Sequence, residues 1–137
     1  MKNPSRAVIK TVLEQAERIA IVGISDNPER TSYQIAEALL KDGYEIIPVN
    51  PHIDEVFGIK AVDKLTNIDG KIDIVNVFRR HEFVKEVAEQ TVLTNANVFW
   101  TQLGLWHEEA GQLVKDSGKT VIMDRCIKVE HALLIKN

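Results

Sequence analysis

The sequence has one cysteine, Cys126, so no intramolecular disulfide can form and no cysteine-built zinc or iron–sulfur cluster can assemble within one chain. A reducing compartment is the simple inference, and a cytoplasmic location is expected. Long hydrophobic runs are missing too: nothing approaches the roughly 20 apolar residues needed to cross a bilayer. Residues 1–13 have no continuous apolar core of the kind a signal peptide needs, so neither export nor membrane insertion is expected. Basic residues form no long run, and 17 Lys plus Arg stand against 20 Asp plus Glu, which argues against a general nucleic-acid surface but leaves room for a local basic pocket. There are 4 prolines and 7 glycines in 137 residues, with 45% hydrophobic residues, so neither a fibrous nor a disordered chain fits. One domain over residues 1–137 with a buried core is expected.

Apolar runs of two kinds alternate along the chain. Ala7, Val8, Leu13 and Ala16 are read as one side of an opening helix. Ile19 to Gly23 is continuously apolar and β-branched, as in a strand covered on both faces. A polar loop, S-D-N-P-E-R, precedes Thr31 and Gln34, which have capping-box spacing for a helix beginning near Ser32. Ile35, Ala36, Leu39 and Leu40 continue at helical spacing as far as Gly43. Further strands are predicted at 44–49, 72–78, 97–101 and 120–123, the second ending at Asn50-Pro51. Helices are predicted at 62–68, around Phe83, Val84, Val87 and Ala88 on one face, at 105–115 and at 127–134, with a turn at 56–59. The repeated strand–helix alternation predicts a single α/β domain, doubly wound around a mainly parallel five-stranded sheet.

In such a sheet, ligands gather outside the carboxyl ends of the strands. The residues there are Gly23, Ile24, Ser25 and Arg30 after the first strand, Asn50 and Pro51 after the second, and Phe78, Arg79 and Arg80 after the third. Gln102 and Gly104 follow the fourth, and Asp124, Arg125 and Cys126 the fifth. The G-I-S-D-N loop and the helix start near Ser32 can offer backbone N–H groups to a phosphate. Only Gly23 remains of the three glycines in the dinucleotide fingerprint, and the second strand ends V-N-P without the carboxylate that holds a nicotinamide dinucleotide's ribose. Arg79 and Arg80 stand where a helix begins, opposing its dipole, so either a bound anion or pairing with Glu82 or Glu86 must compensate. Trp100 is either a core plug or a groove wall. The four histidines have no compact metal-ligand spacing, and Cys126 and His131, five positions apart, make a poor nucleophilic pair. No catalytic residue or metal site is assigned.

Five ordered blocks, V-G-I-S at 22–25, I-I-P-V-N-P at 46–51, D-I-V-N-V-F-R-R at 73–80, W-T-Q-L-G at 100–104 and M-D-R-C-I at 123–127, resemble the small bacterial CoA-binding proteins. These are stand-alone relatives of the CoA-binding domain of the succinyl-CoA synthetase alpha subunit. The resemblance covers nearly the whole chain and implies a Rossmann-like domain that binds coenzyme A. It implies that Gly23, Ile24 and Ser25 approach the nucleotide phosphates, that Ser32 lies at the phosphate-facing helix start, and that Asn50 and Pro51 border the adenosine. Phe78 and Arg79 would line the groove, Arg80 would add a phosphate contact, and Gln102 and Gly104 would lie near the extended arm; Arg30, by its charge alone, is a second positive contact. The synthetase's phosphorylated histidine matches none of the histidines here, so ligase activity is not carried over.

The expectation is a non-catalytic binder of CoA or acyl-CoA that senses, stores or presents it. The alternative is an enzyme acting on acyl-CoA or a nicotinamide nucleotide with groups supplied by a partner subunit. A domain that keeps the fold for protein contacts alone is a third reading. Protein partners or a homo-oligomer are compatible with each.

Overall fold

The computed structural model describes residues 1–136, and their order is the alternation that the apolar runs predict. Helix α1 (Arg6–Gln15) leads into strand β1 (Arg18–Val22), followed by α2 (Thr31–Lys41), β2 (Glu45–Val49) and a hairpin of β3 (Glu55–Val56) and β4 (Ile59–Lys60). Strand β5 (Ile74–Val77), helix α3 (His81–Val92), β6 (Val98–Thr101), α4 (Glu108–Asp116), β7 (Thr120–Ile122) and α5 (Ile127–Leu134) complete the fold. Five strands form one sheet in the order β2-β1-β5-β6-β7. Every neighbouring pair in it is parallel. From β1 the chain steps outward to β2 and then returns to the other side of β1, so the strand order reverses between β1 and β5. That reversal opens a crevice at their carboxyl ends.

The strands read as mainly apolar runs because both faces of the sheet are covered. Their alternation of two divides them between two cores. Ile19, Ile21, Ile74, Val98, Trp100 and Ile122 pack beneath α1, α2 and α5, with Ile9, Leu13, Ile35, Leu39 and Ile127. Ala20, Val22, Val75, Val77, Phe99 and Val121 face α3 and α4, with Val84, Val87, Ala88, Ala110 and Val114.

Both margins of the sheet are covered over short stretches. Val62 forms a parallel bridge with Val49, donating its N–H to the Pro48 carbonyl at 3.0 Å and accepting from Asn50 at 2.9 Å. Beyond β7, the Asn3 amide exchanges both of its bonds with the Met123 backbone, Nδ2 to the carbonyl and Oδ1 from the N–H, each at 2.7 Å.

Four local expectations are corrected. Helix α1 buries Ile9 and Leu13 and turns Val8 outward, 44% exposed. Residues 62–68 hold only a single 3₁₀ turn, Leu65–Asn67, because Val62 is taken up by the bridge to β2. Helix α4 starts three residues later than expected. Leu105 is held in a turn, its N–H on the Gln102 carbonyl and its own carbonyl on Thr101 Oγ1, and His107 caps the helix through Nδ1. Phe83 leaves the buried face of α3 and lies under the Arg79 guanidinium, 4.4 Å from its ring centre.

Tyr44 joins β2 to α1, its buried hydroxyl donating to the Leu13 carbonyl at 2.6 Å. Burial, with Asp42 nearby, pushes the phenol up to about 12. The folded state therefore holds its proton more tightly than the unfolded state, whose tyrosine titrates near about 10. This contribution to stability is complete below the unfolded value and is lost as pH rises through the folded one. Chemical denaturation should show an alkaline fall between about pH 10 and 12 that is reduced in Tyr44→Phe. Identical slopes for both proteins would remove Tyr44 as its source.

Candidate functional site

Gly23 ends β1 with φ +85°, and the place of its missing Cβ lies only 2.0 Å from the Phe78 carbonyl oxygen. Phe78 is held there by its N–H on the Val22 carbonyl at 2.8 Å, and Gly23 by its own N–H on the Val49 carbonyl at 2.9 Å. The absent side chain thus lets the ends of β1 and β5 close on each other at the crevice. Asn50 braces the same corner: Nδ2 donates to the Ile24 carbonyl and Oδ1 accepts from the His52 N–H, both at 2.8 Å. Its amide is committed to the two loops.

The capping box expected at α2 does not form. Arg30 occupies the cap position without a capping side chain, and Gln34 instead reaches the Pro28 carbonyl at 3.2 Å. Ser32 is buried and its Oγ accepts the Ser25 N–H at 3.0 Å, while Ser25 Oγ accepts from Asn27 at 3.0 Å. The hydroxyls therefore shape the loop around a helix start whose N–H groups no side chain covers. Such a start attracts an anion through its exposed N–H groups and its dipole.

Two cavities open side by side along this edge. One, of about 470 Å³, is lined by Gly23, Ile24, Ser25, Arg30, Thr31, Ser32, Asn50, Ile53 and Phe78. The other, of about 500 Å³ and mostly apolar, is lined by Ile35, Arg79, Arg80, Gln102, Leu103, Leu105 and Cys126 together with Thr31 and Phe78. Thr31 and Phe78 belong to both, so the two adjoin at these residues as the apolar half and the polar half of one carboxyl-edge site. Pro51 lies to the side, in a smaller cavity of about 140 Å³ that also touches Gly23 and Arg79. Gly104 lines neither half. Its φ is +90° and its N–H donates to Asp124 Oδ1 at 2.6 Å, tying the turn after β6 to the turn after β7.

At the base of the apolar half, Gln102 is 5% exposed and donates through Nε2 to Oδ1 of the fully buried Asn76 at 2.5 Å. Gln102 Oε1 and Asn76 Nδ2 have no partner. Sequence reading missed Asn76, although a polar residue inside the otherwise apolar strand I-V-N-V was the available signal. Ile35, Ile53, Leu103 and Leu105 were also missed as groove residues, and apolar residues carry no signal of that kind. Trp100 is a core plug and no part of the groove wall: it is fully buried and donates through Nε1 to the Arg125 carbonyl at 2.8 Å. Arg79 and Arg80 form no ion pair with Glu82 or Glu86 among the described residues. Arg79 rests on Phe83, and both arginines border the apolar half.

Cys126 and His131 do not come together. His131, five positions further along the same helix, is buried against Asp42, with Nδ1 3.3 Å from Oδ2, and lines a separate cavity that Cys126 does not reach. No metal-binding group of His, Cys, Asp or Glu occurs among the described residues, and none of their helices is long and apolar enough to cross a membrane.

The groove tests whether CoA suits these residues. Its polar half combines a helix start without a capping side chain, an arginine and a close backbone approach, as a diphosphate requires. Its apolar half is walled by Ile35, Phe78, Leu103 and Leu105, the setting that a mostly apolar arm requires. Comparisons with known proteins point the same way. A family model described as the CoA binding domain matches residues 17–132. The chain is 59% identical over 133 residues to the uncharacterized protein YneT of Bacillus subtilis (strain 168), covering 97% of this chain and 98% of that one. It is 32% identical over 69 residues to the alpha subunit of the ADP-forming acetate–CoA ligase II of Pyrococcus furiosus, covering 50% of this chain but 15% of that subunit. A solved structure of a hypothetical protein from Pyrococcus horikoshii OT3 superposes with a TM-score of 0.93 at 32% identity, covering 96% of this chain and 93% of that one.

Proposed function

The chain belongs to the CoA-binding domain family, and from that membership and the shape of its groove we propose that it binds CoA or an acyl-CoA without itself catalysing a reaction. The observation that carries the reading is that the polar and the apolar cavity lie side by side, sharing Thr31 and Phe78. A ligand with an anionic head and a long, mostly apolar arm fits that sequence of environments. In this reading Gly23, Ile24, Ser25 and Ser32 face the diphosphate, with Arg30 adding charge. Asn50 and Pro51 shape the adenosine end through backbone and packing, since the Asn50 amide is already bonded. Phe78 is the shared wall, and Gln102 meets the arm. The whole span 1–137 acts as one CoA-binding unit, which senses, stores or presents the cofactor in the cytoplasm, alone or to a protein partner. Related sequence within ligase subunits supports such a partner.

Calorimetric titration of the ligand-stripped protein with CoA, NAD and NADP tests this. Saturable CoA binding near one per chain, with neither nicotinamide nucleotide binding comparably, is the expected result. Arg79→Ala or Arg80→Ala should weaken CoA about tenfold, the scale of one charge-assisted contact, and dephospho-CoA less if the arginine reads the ribose phosphate. A folded protein that binds no CoA overturns the reading.

A further inference from the structure

Leu103 sits in the turn after β6 and is 73% exposed, although it lines the apolar half of the site together with Ile35, Phe78 and Leu105. An exposed leucine is ordinary by itself. What sets this one apart is the turn that carries it. Gly104 donates to Asp124 Oδ1 at 2.6 Å, Leu105 donates to the Gln102 carbonyl at 2.9 Å, and Thr101 Oγ1 donates to the Leu105 carbonyl at 2.6 Å. The backbone around Leu103 is thereby fastened to the end of β6 and to the turn after β7, so the fold holds the leucine at the rim of the cavity. Its surface joins that of three further apolar side chains around a space of about 500 Å³. An apolar hollow with an uncovered apolar rim gains most from a ligand that is itself apolar. Of the charged groups at its border, the Arg79 guanidinium is drawn to Phe83, which is no part of the lining, and Arg80 is exposed.

This cavity adjoins the polar half at Thr31 and Phe78, beside the start of α2 that no side chain caps. On the reading that the polar half takes the diphosphate of CoA, the arm enters the apolar half and brings with it whatever is bonded to its sulfur. We infer that the preferred ligand is a CoA thioester of an unbranched aliphatic acid, and that Leu103 sets the preference for it over free CoA. An acyl chain covers the leucine and displaces water from the cavity, whereas a free thiol leaves the leucine uncovered. Each methylene taken from water into such a place contributes about threefold to fourfold in affinity. The gain ends once the cavity is filled, so affinity rises with chain length and then levels off.

The test titrates the ligand-stripped protein by calorimetry with CoA, acetyl-CoA, butyryl-CoA and hexanoyl-CoA. Affinity should climb along that series to about tenfold or more over CoA for hexanoyl-CoA, with a more negative heat-capacity change for the longer chains. Leu103→Ser should bring the ratio of hexanoyl-CoA to CoA affinity down about tenfold, toward one, and Leu103→Met should keep it. Leu93→Ser supplies the comparison: Leu93 is 77% exposed but lines neither half, so its replacement should leave the ratio at the native value. Equal affinities of the native chain for CoA and its thioesters would overturn the inference and leave the CoA reading standing. So would a ratio that Leu103→Ser does not change, which would put the acyl chain elsewhere. Failure of all four ligands to bind overturns the CoA reading and this inference with it.

Discussion

Replacing Gly23 by alanine should cost about 3–5 kcal/mol of folding stability, a large part of the roughly 5–15 kcal/mol that holds a domain of this size together. Two costs combine. The φ of +85° is a conformation in which a side chain costs about 1–3 kcal/mol. The new Cβ would also meet the Phe78 carbonyl oxygen at 2.0 Å, and overpacking of this kind costs about 1–3 kcal/mol or more. The obstacle is backbone, pinned by its own bond to Val22, so it cannot yield as the end of a flexible side chain would. Gly104 supplies the control: its φ is +90°, but an added Cβ meets nothing within 4 Å. Gly104→Ala should cost only about 1–3 kcal/mol, from backbone conformation with no steric addition. In thermal unfolding the two should separate, with Gly23→Ala lower in Tm by roughly 10–20 °C than the native chain. CoA affinity should fall as well, because Phe78 is the wall common to both halves and Arg79 Cδ lies 3.2 Å from the same Cβ. Equal losses for the two alanine variants would show that the junction of β1 and β5 can relax.

Trp100 should be the second most costly position. It is the largest fully buried side chain and fills the core between the sheet and α1, α2 and α5. Trp100→Ala is expected to lose about 3–5 kcal/mol in denaturant unfolding. Trp100→Phe keeps much of the bulk but strands the Arg125 carbonyl that Nε1 now satisfies, and should lose about 1–3 kcal/mol. The bond also reaches the groove: Arg125 directly precedes Cys126, so its release should quicken labelling of Cys126 by a thiol reagent in the phenylalanine variant. A Trp100→Ala protein within about 1 kcal/mol of the native chain would refute the plug.

These two residues show how far the sequence could be read. Both were visible as unusual, one a glycine at a strand end and the other a tryptophan in an apolar run. Their strands were legible because a β-branched run between turn residues admits few other structures, and the parallel sheet followed from its alternation with helices. What the period could not supply was the partner across the fold. Gly23 stands where it does because of Phe78, 55 positions away, and the choice between plug and wall for Trp100 was settled by Arg125. Local signals misled where a distant contact overrode them. The Thr31–Gln34 spacing suggested a capping box, yet Gln34 is drawn to Pro28 and the helix start is left uncovered. Residues 105–107 had a helical pattern, yet the turn held by Gln102 and Thr101 delays the helix to Glu108. The Asn76–Gln102 bond needed two strands in register before it could be seen.

The short covers on the two margins of the sheet limit how copies of this chain can join. An uncovered β margin is a template onto which another strand can add. Here β2 carries Pro48 and the Val62 bridge, while β7 is three residues long and is followed at once by Met123, whose backbone is occupied by one asparagine side chain. Neither margin offers a run of free backbone groups long enough for a second sheet to continue it. Self-association that leaves these covers in place would therefore not widen the sheet, and each copy would keep its own five strands.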